Sequence, residues 1–282
     1  MTSDAESFDA FKAWIGRTEA AADVITARLE TSLRALFDRP GIAVAEGNAA
    51  MPTAHWCLTP PIAPAHEIGD DGHPRRGGFL PPVPLPRRMW AGGEITFLEP
   101  LRVGDGVERR SRVDDVAVKK GRSGTLCFVT VRHVYSTRRG PAIEERQDIV
   151  YRDADQAGSA QTGTPAIPEP QWSRPWRFDE VSLFRYSALT FNGHRIHYDY
   201  PYATGIEGYP GLVVHGPLQA SLLVNLACEV RGSAPRTFGY RGLRPLFAPA
   251  AVQIEGHESP EGLDLWIRDE AGFVTMKGLA TW

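Results

Sequence analysis

One order of signals runs along this chain twice, and that repetition constrains its fold more than any other feature. Residues 154–175 are poor in apolar side chains and rich in Ala, Gly, Ser, Thr and Pro. Such a composition buries no core and reads as a linker between two halves of comparable size. Before it, Asp23–Phe37 places Ile25, Leu29, Leu33 and Leu36 at a helical period. FLEPLRVGD (Phe97–Asp105) follows, then an alternating stretch to about Val118, GTLCFVTVRHVYS (Gly124–Ser136) and EERQDIVYRD (Glu144–Asp153). After the linker, Pro217–Val230 has the helical period, and GLRPLFAPA (Gly242–Ala250) parallels FLEPLRVGD, with Pro245 and Leu246 answering Pro100 and Leu101. VQIEGHE, LDLWIRD and FVTMKGLATW then read as three strands. A helix followed by several antiparallel strands, twice over, predicts an α+β fold. Residues 1–153 and 176–282 would form two tandem units, each a long helix wrapped by a curved sheet with one dry face. The alternative is one large irregular α+β domain.

The 282 residues allow two cores, and 42% apolar with 23% charged residues is the balance of a soluble globular protein. A net charge of −3 gives no reason to expect nucleic acid or an anionic membrane as partner. Cys57, Cys127 and Cys228 are odd in number and lack metal-ligand spacing, which favours a reducing cytoplasm over a disulfide framework. MTSDAESFDAFKAW has no apolar signal core, and no run approaches membrane-spanning length. The expectation is a cytoplasmic protein.

The chemistry concentrates between Thr190 and Asn225, which holds three of the eight histidines, His194, His197 and His215. His215 and Gly216 precede Pro217 in a helix start, with Leu218, Leu222, Leu226 and Val230 on one face. The first amides of a helix lack intrahelical partners and carry positive partial charge, so they can polarise a carbonyl. A lone histidine there would read as a backbone cap. An amide at Asn192, an imidazole at His197 and a second imidazole at the helix start argue for catalysis.

YSALTFNGHRIH (Tyr186–His197), followed by VVHGPL (Val213–Leu218), resembles the MaoC-like hydratases of the hotdog fold. The likeness is to the branch of two-hotdog 3-hydroxyacyl-thioester dehydratases that includes mesaconyl-CoA and itaconyl-CoA hydratases. FLPPVPLPRRMWAGGEITFLEPLRVGD (Phe79–Asp105) resembles the N-terminal domain of that branch, so the likeness covers nearly the whole chain. The family motif reads roughly G-D-x-N-P-x-H. Its acid falls on Asn192, its histidine on His197, and the family's His-Gly on His215 and Gly216; Arg195 stands where proline is usual. The resemblance implies two tandem hotdog domains and reversible hydration of a 2-enoyl-CoA, with R stereochemistry and a role in acyl or fatty acid metabolism. It also implies a homodimer with coenzyme A as part of the substrate.

Asparagine takes up no proton. Asn192 is therefore expected to orient the water while His197 alone shuttles the proton, with helix-start amides meeting the enolate charge. Asp199 reads as a partner that orients a neighbour. No metal or redox cofactor is required; His194 and His197 have HxxH spacing but no carboxylate or thiolate cluster supports a metal. There is no G-x-S-x-G elbow and no dinucleotide fingerprint. Phe79 and Trp90 belong to a Pro- and Gly-rich segment, Asp70–Gly93, expected to line the acyl pocket with His55 and Trp56. Arg195, inside the catalytic loop, is a candidate to grip a substrate carboxylate. Arg87–Arg88, Arg109–Arg110 and Lys119–Arg122 are candidates for phosphate contacts, although the last reads more plainly as an exposed hairpin turn. Catalysis is assigned to the second half, the first shaping the acyl tunnel. The competing readings are thioester hydrolysis, with Glu229 the helix carboxylate, and a non-catalytic acyl-thioester binding subunit.

Overall fold

A computed structural model of the chain describes residues 10–39, 43–121, 124–153 and 167–282. Residues 154–166 of the expected linker lie outside these.

The first half supplies β1 (Thr18–Val24), α1 (Ala27–Leu36), β2 (Arg87–Phe97), β3 (Gly106–Gly121), β4 (Gly124–Thr137) and β5 (Gly140–Arg152). The second supplies β6 (Trp172–Phe178), α2 (Glu180–Thr190), β7 (Leu212–Val213), α3 (Gly216–Arg231) and β8 (Thr237–Gly242). It ends with β9 (Phe247–Ala248), β10 (Ala250–Ser259), β11 (Gly262–Asp269) and β12 (Val274–Thr281). Ten strands form one antiparallel sheet in the order β1-β3-β4-β5-β2-β8-β12-β11-β10-β6, while β7 and β9 pair separately. Read inward from its two edges the order is the same, so β1 answers β6, β3 answers β10, and β2 and β8 meet at the centre with Gly92 opposite Arg241 and Thr96 opposite Thr237. The repeated α+β plan is thus visible in the sheet.

Alternation produces the dry face. Cys127, Val129, Val131, His133 and Tyr135 recur every second residue of β4 and are all buried. Against the second-half strands β8, β10, β11 and β12 lies α3, buried from Leu218 to Ala227 without a break, as a helix surrounded by protein must be. Leu218, Leu223 and Leu226 join Ile25 and Leu33 of the first half and Ile254 and Leu265 of the second in one shared core. Each such leucine contributes about 2 kcal/mol by burial.

Three expectations change. The first-half helix spans ten residues, because Asp23 and Val24 end an edge strand and Thr26 caps the helix by accepting from the Leu29 amide at 3.1 Å. By chain order its counterpart is α2, which the sequence did not signal, while the position of α3 is filled in the first half by a 3-10 turn, Pro52–Cys57. Among the described residues the long central helix therefore occurs once. The linker also ends early: Trp172–Phe178 pairs with β10, its Pro175 tolerated because β6 is an edge strand.

Candidate active site

Four segments converge at the start of α3. The capping box of α2, in which Asp179 and Ser182 each accept from the other's amide, fixes where that helix begins. It ends at Phe191 in the left-handed region (φ 48°), turning the chain into Asn192–Asp199. The Asn192 side-chain oxygen accepts from the His194 amide at 3.0 Å, and a 3-10 turn, Arg195–His197, swings His197 inward. The β7–β9 pair holds the Val213 carbonyl 2.7 Å from His197 Nδ1. His215 is the cap residue and Gly216 the first residue of the helix.

A carbonyl oxygen only accepts, so Nδ1 of His197 carries the proton and Nε2 of the neutral ring bears the lone pair. Nε2 has no hydrogen-bond partner among the described residues, and it is not sealed from solvent. The His197 ring stacks on His215 with centroids 3.6 Å apart and planes 18° apart. His215 is 1% exposed, and its Nε2 lies 2.9 Å from the Ser187 hydroxyl of α2. Burial holds His197 down to about 4, against the raising effect of the Val213 bond. Burial and then His197 hold His215 well below the usual histidine range. Both rings are neutral bases at physiological pH.

Pro217 donates no N–H, so the amides of Gly216 and Leu218 are the donors left at the helix start. A Cβ on Gly216 would lie 2.8 Å from Trp90 Cε3, so the indole closes directly over the helix start. Trp90 stacks on Tyr240 at 4.3 Å and meets Trp56 edge-on at 5.4 Å. This apolar wall comes from both halves.

The sequence candidates separate in space. His197, His215, Gly216 and Trp90 come together. Asn192 stands at the same turn, but its acceptor oxygen serves the His194 amide. Phe79 packs into a separate apolar cluster with Val83, Leu85 and Tyr151. Arg195 is already occupied. Its guanidinium holds Asp199 at 2.7 Å, reaches the Asp70 carbonyl at 3.0 Å and lies over Tyr202. It fastens two loops together, and Asp199 is its partner. His55 is fully buried, with Nδ1 on the Pro52 carbonyl and Nε2 3.5 Å from Glu145, which also accepts from Trp56. Of the basic clusters, Arg87 lies 3.7 Å from Glu207, Arg109 binds Glu19 and Arg110 binds Glu108; Arg122 lies outside the described residues. All three cysteines are free, and burial pushes their thiols up to about 12 for Cys57 and about 11 for Cys127 and Cys228.

Asp71 and His73 were not singled out by their pattern. Gly72, between them, adopts φ +88° with its backbone against Gly193, and the Arg195 amide donates to the Asp71 carbonyl at 2.9 Å. This sets His73 against His194 (centroids 4.2 Å), which meets His197 edge-on at 5.4 Å. The signal that could have found them is the phrase DDGHP: a turn glycine between two polar side chains, before a proline.

A base held neutral fixes a pH dependence. Lowering the His197 value keeps the base form available until the pH falls to about 4. The rate kcat/KM should therefore show its acid limb near pH 4, and not near the 6.5 of a free imidazole. An initial-rate profile on the free enzyme checks this; an acid limb at the ordinary histidine value would show that the ring is not so held.

The profile of the hydroxyacyl-thioester dehydratase type 2 family matches residues 53–248, which takes in His73, Trp90, His194, His197 and His215. The mesaconyl-C(4)-CoA hydratase of Chloroflexus aurantiacus is 43% identical over 254 residues, 90% of this chain and 91% of that protein. Among solved structures, the MaoC-like dehydratase of Phytophthora capsici is 15% identical at a TM-score of 0.71, over 96% of this chain and 97% of that one. A Mycobacterium tuberculosis protein described as a double hotdog covers 98% of both chains at a TM-score of 0.57 and 11% identity. At those identities the structures show the fold alone, and the fold is the double hotdog. With the family profile across most of the chain and a relative at 43% identity, this protein belongs to the hydroxyacyl-thioester dehydratase type 2 family and is a hydro-lyase.

Proposed function

We propose that this enzyme adds water across the 2,3-double bond of an enoyl-CoA whose acyl group carries a second carboxylate, as mesaconyl-C4-CoA does, and runs the dehydration in reverse. One observation carries the chemistry: His197 holds the Val213 carbonyl through Nδ1, which leaves Nε2 without a hydrogen-bond partner among the described residues, in a ring stacked on the cap residue of α3. As the water oxygen bonds to C3, Nε2 takes its proton and the electron pair of the double bond moves onto the thioester oxygen as an enolate. The helix-start amides meet that charge, where loss of one donor costs on the order of 3 kcal/mol of barrier. The imidazolium then returns the proton to C2. No step calls for a metal or a redox cofactor.

The 43% identical relative supports the dicarboxylic acyl group, with itaconyl-CoA in the same chemical class. We place the enzyme in the cytoplasm as a homodimer; no helix among the described residues is long and apolar enough to cross a membrane. Thioester hydrolysis is less well supported. Glu229, the carboxylate it would recruit, is about 20 Å along the helix from Gly216. It is also engaged by Arg39 at 2.5 Å and Arg174 at 3.5 Å.

The test is a panel of mesaconyl-C4-CoA, itaconyl-CoA, crotonyl-CoA and a long unbranched enoyl-CoA. A charge-assisted contact to the extra carboxylate should raise kcat/KM about tenfold or more for the dicarboxylic substrates. A clear preference for the unbranched monocarboxylic chains would overturn the assignment.

A further inference from the structure

With Arg195 tied to Asp199, the carboxylate of the proposed substrate needs another receptor. In a 2-enoyl thioester of the mesaconyl-C4 type, the free carboxylate is attached to C3, the carbon that water attacks. Its receptor must therefore lie beside His197. We propose that Arg88, with the ring of His194, forms that receptor, an assignment that rests on the hydration reading above.

Arg88 sits on β2 opposite Tyr151, two residues before Trp90, so its side chain leaves the strand on the face that covers the start of α3. Its positive charge opposes the burial-driven rise of the Tyr151 hydroxyl and helps hold both His73 and His194 below the usual histidine range. Among the described residues it has no carboxylate partner, whereas Arg87, Arg109 and Arg195 have theirs. Arg76, which flanks the same tyrosine, is held by the carbonyls of Val83, Leu85 and Pro86. The nearby carboxylate, Asp71, is taken by His73, accepting from its amide at 2.9 Å and from its Nδ1 at 3.2 Å. His194 is 9% exposed, and its ring nitrogens find no hydrogen-bond partner among the described residues, yet neither is sealed from solvent. The place beside His194, whose ring meets His197 at 5.4 Å, thus offers, among the described residues, one positive charge without a carboxylate partner and one imidazole without a hydrogen-bond partner, which together suit a carboxylate.

Donor atoms of Asp71, His73 and His194 lie within 4.8 Å of one another, a spacing that a divalent cation could also use. The adjacent guanidinium charge works against a dication. The Asp71–His73 hydrogen bond satisfies the carboxylate without one.

Succinyl-CoA and butyryl-CoA are saturated and do not react. They differ in a carboxylate or a methyl on C3. Calorimetry on the full-length protein should show succinyl-CoA binding more tightly than butyryl-CoA by about tenfold or more. Arg88→Met should bind the two equally with its melting temperature unchanged, and Arg88→Lys should recover part of the difference. Discrimination untouched in Arg88→Met would overturn the assignment, as would one divalent metal ion per chain in the purified protein. If neither mesaconyl-C4-CoA nor crotonyl-CoA is hydrated while succinyl-CoA is still selected through Arg88, the hydration reading fails and the receptor stands.

Discussion

Replacing His197 with Gln is expected to lower kcat by about a thousandfold while changing KM by less than about threefold. Glutamine can still bond to the Val213 carbonyl, so the loop keeps its anchor while the base disappears. Its amide nitrogen donates and takes up no proton, leaving water without an acceptor at C3. The stack on His215 is also lost, which costs little, since His215 keeps Ser187 and the cover of Tyr186. Stopped-flow loss of the enoyl-thioester absorbance reads kcat directly, and a thermal melt confirms the fold. The matched variant is His55→Ala in the other half, where the buried imidazole braces Glu145 and cannot reach substrate. Loss of turnover in His55→Ala together with full activity in His197→Gln would place the chemistry in the wrong half.

Gly72→Ala should have the second largest effect, through a residue that does no chemistry. At φ +88° any side chain is strained by about 1–2 kcal/mol, and here the new Cβ would also lie on the Gly193 carbonyl. Both contacts are backbone, so no side chain can swing aside. The two loops must part, breaking the bond from the Arg195 amide to Asp71 and the Arg195 contact with Asp70. A total of about 3 kcal/mol, or a drop of roughly 6 °C in melting temperature, is expected. His73 would leave His194, and misplacement of that wall by about 1 Å is expected to cost on the order of a hundredfold in kcat/KM. Gly78→Ala, in the same segment with open space around it, is the control and should change neither quantity. A Gly72→Ala protein with wild-type melting and rate would show that the stitch between the loops is unimportant.

What the sequence disclosed follows from how local each signal is. The strands of the second half and α3 were legible because period-2 and period-3.6 patterns are written in consecutive residues, and α3 spans Gly216–Arg231 against the Pro217–Val230 read from its period. The short α1 was overdrawn, because Asp23 and Val24 satisfy a helical period while the pairing of Val24 with Gly106 makes them a strand. That decision is tertiary. β6 was masked by Pro175, which an edge strand accepts.

In the site, the candidates that the structure brings together are those within one continuous motif, His197, His215 and Gly216, with Trp90 placed by its segment. Arg195 has a carboxylate partner in Asp199, four residues on, which its place in the loop did not announce. That His73 and Arg88 come near His194 could not be read from spacing, although DDGHP marks the first and the Arg87–Arg88 pair the second. They arrive from more than a hundred residues away, on a loop and a strand whose approach depends on the Gly72–Gly193 contact and the seam between β2 and β8.

Oxygen-18-labelled water tests the central chemistry most directly. Incubated with mesaconyl-C4-CoA and analysed by mass spectrometry, the enzyme should give a hydroxyacyl-CoA carrying one label on C3, with the thioester intact and no free thiol. Label found in a released carboxylic acid, accompanied by free coenzyme A, would contradict it.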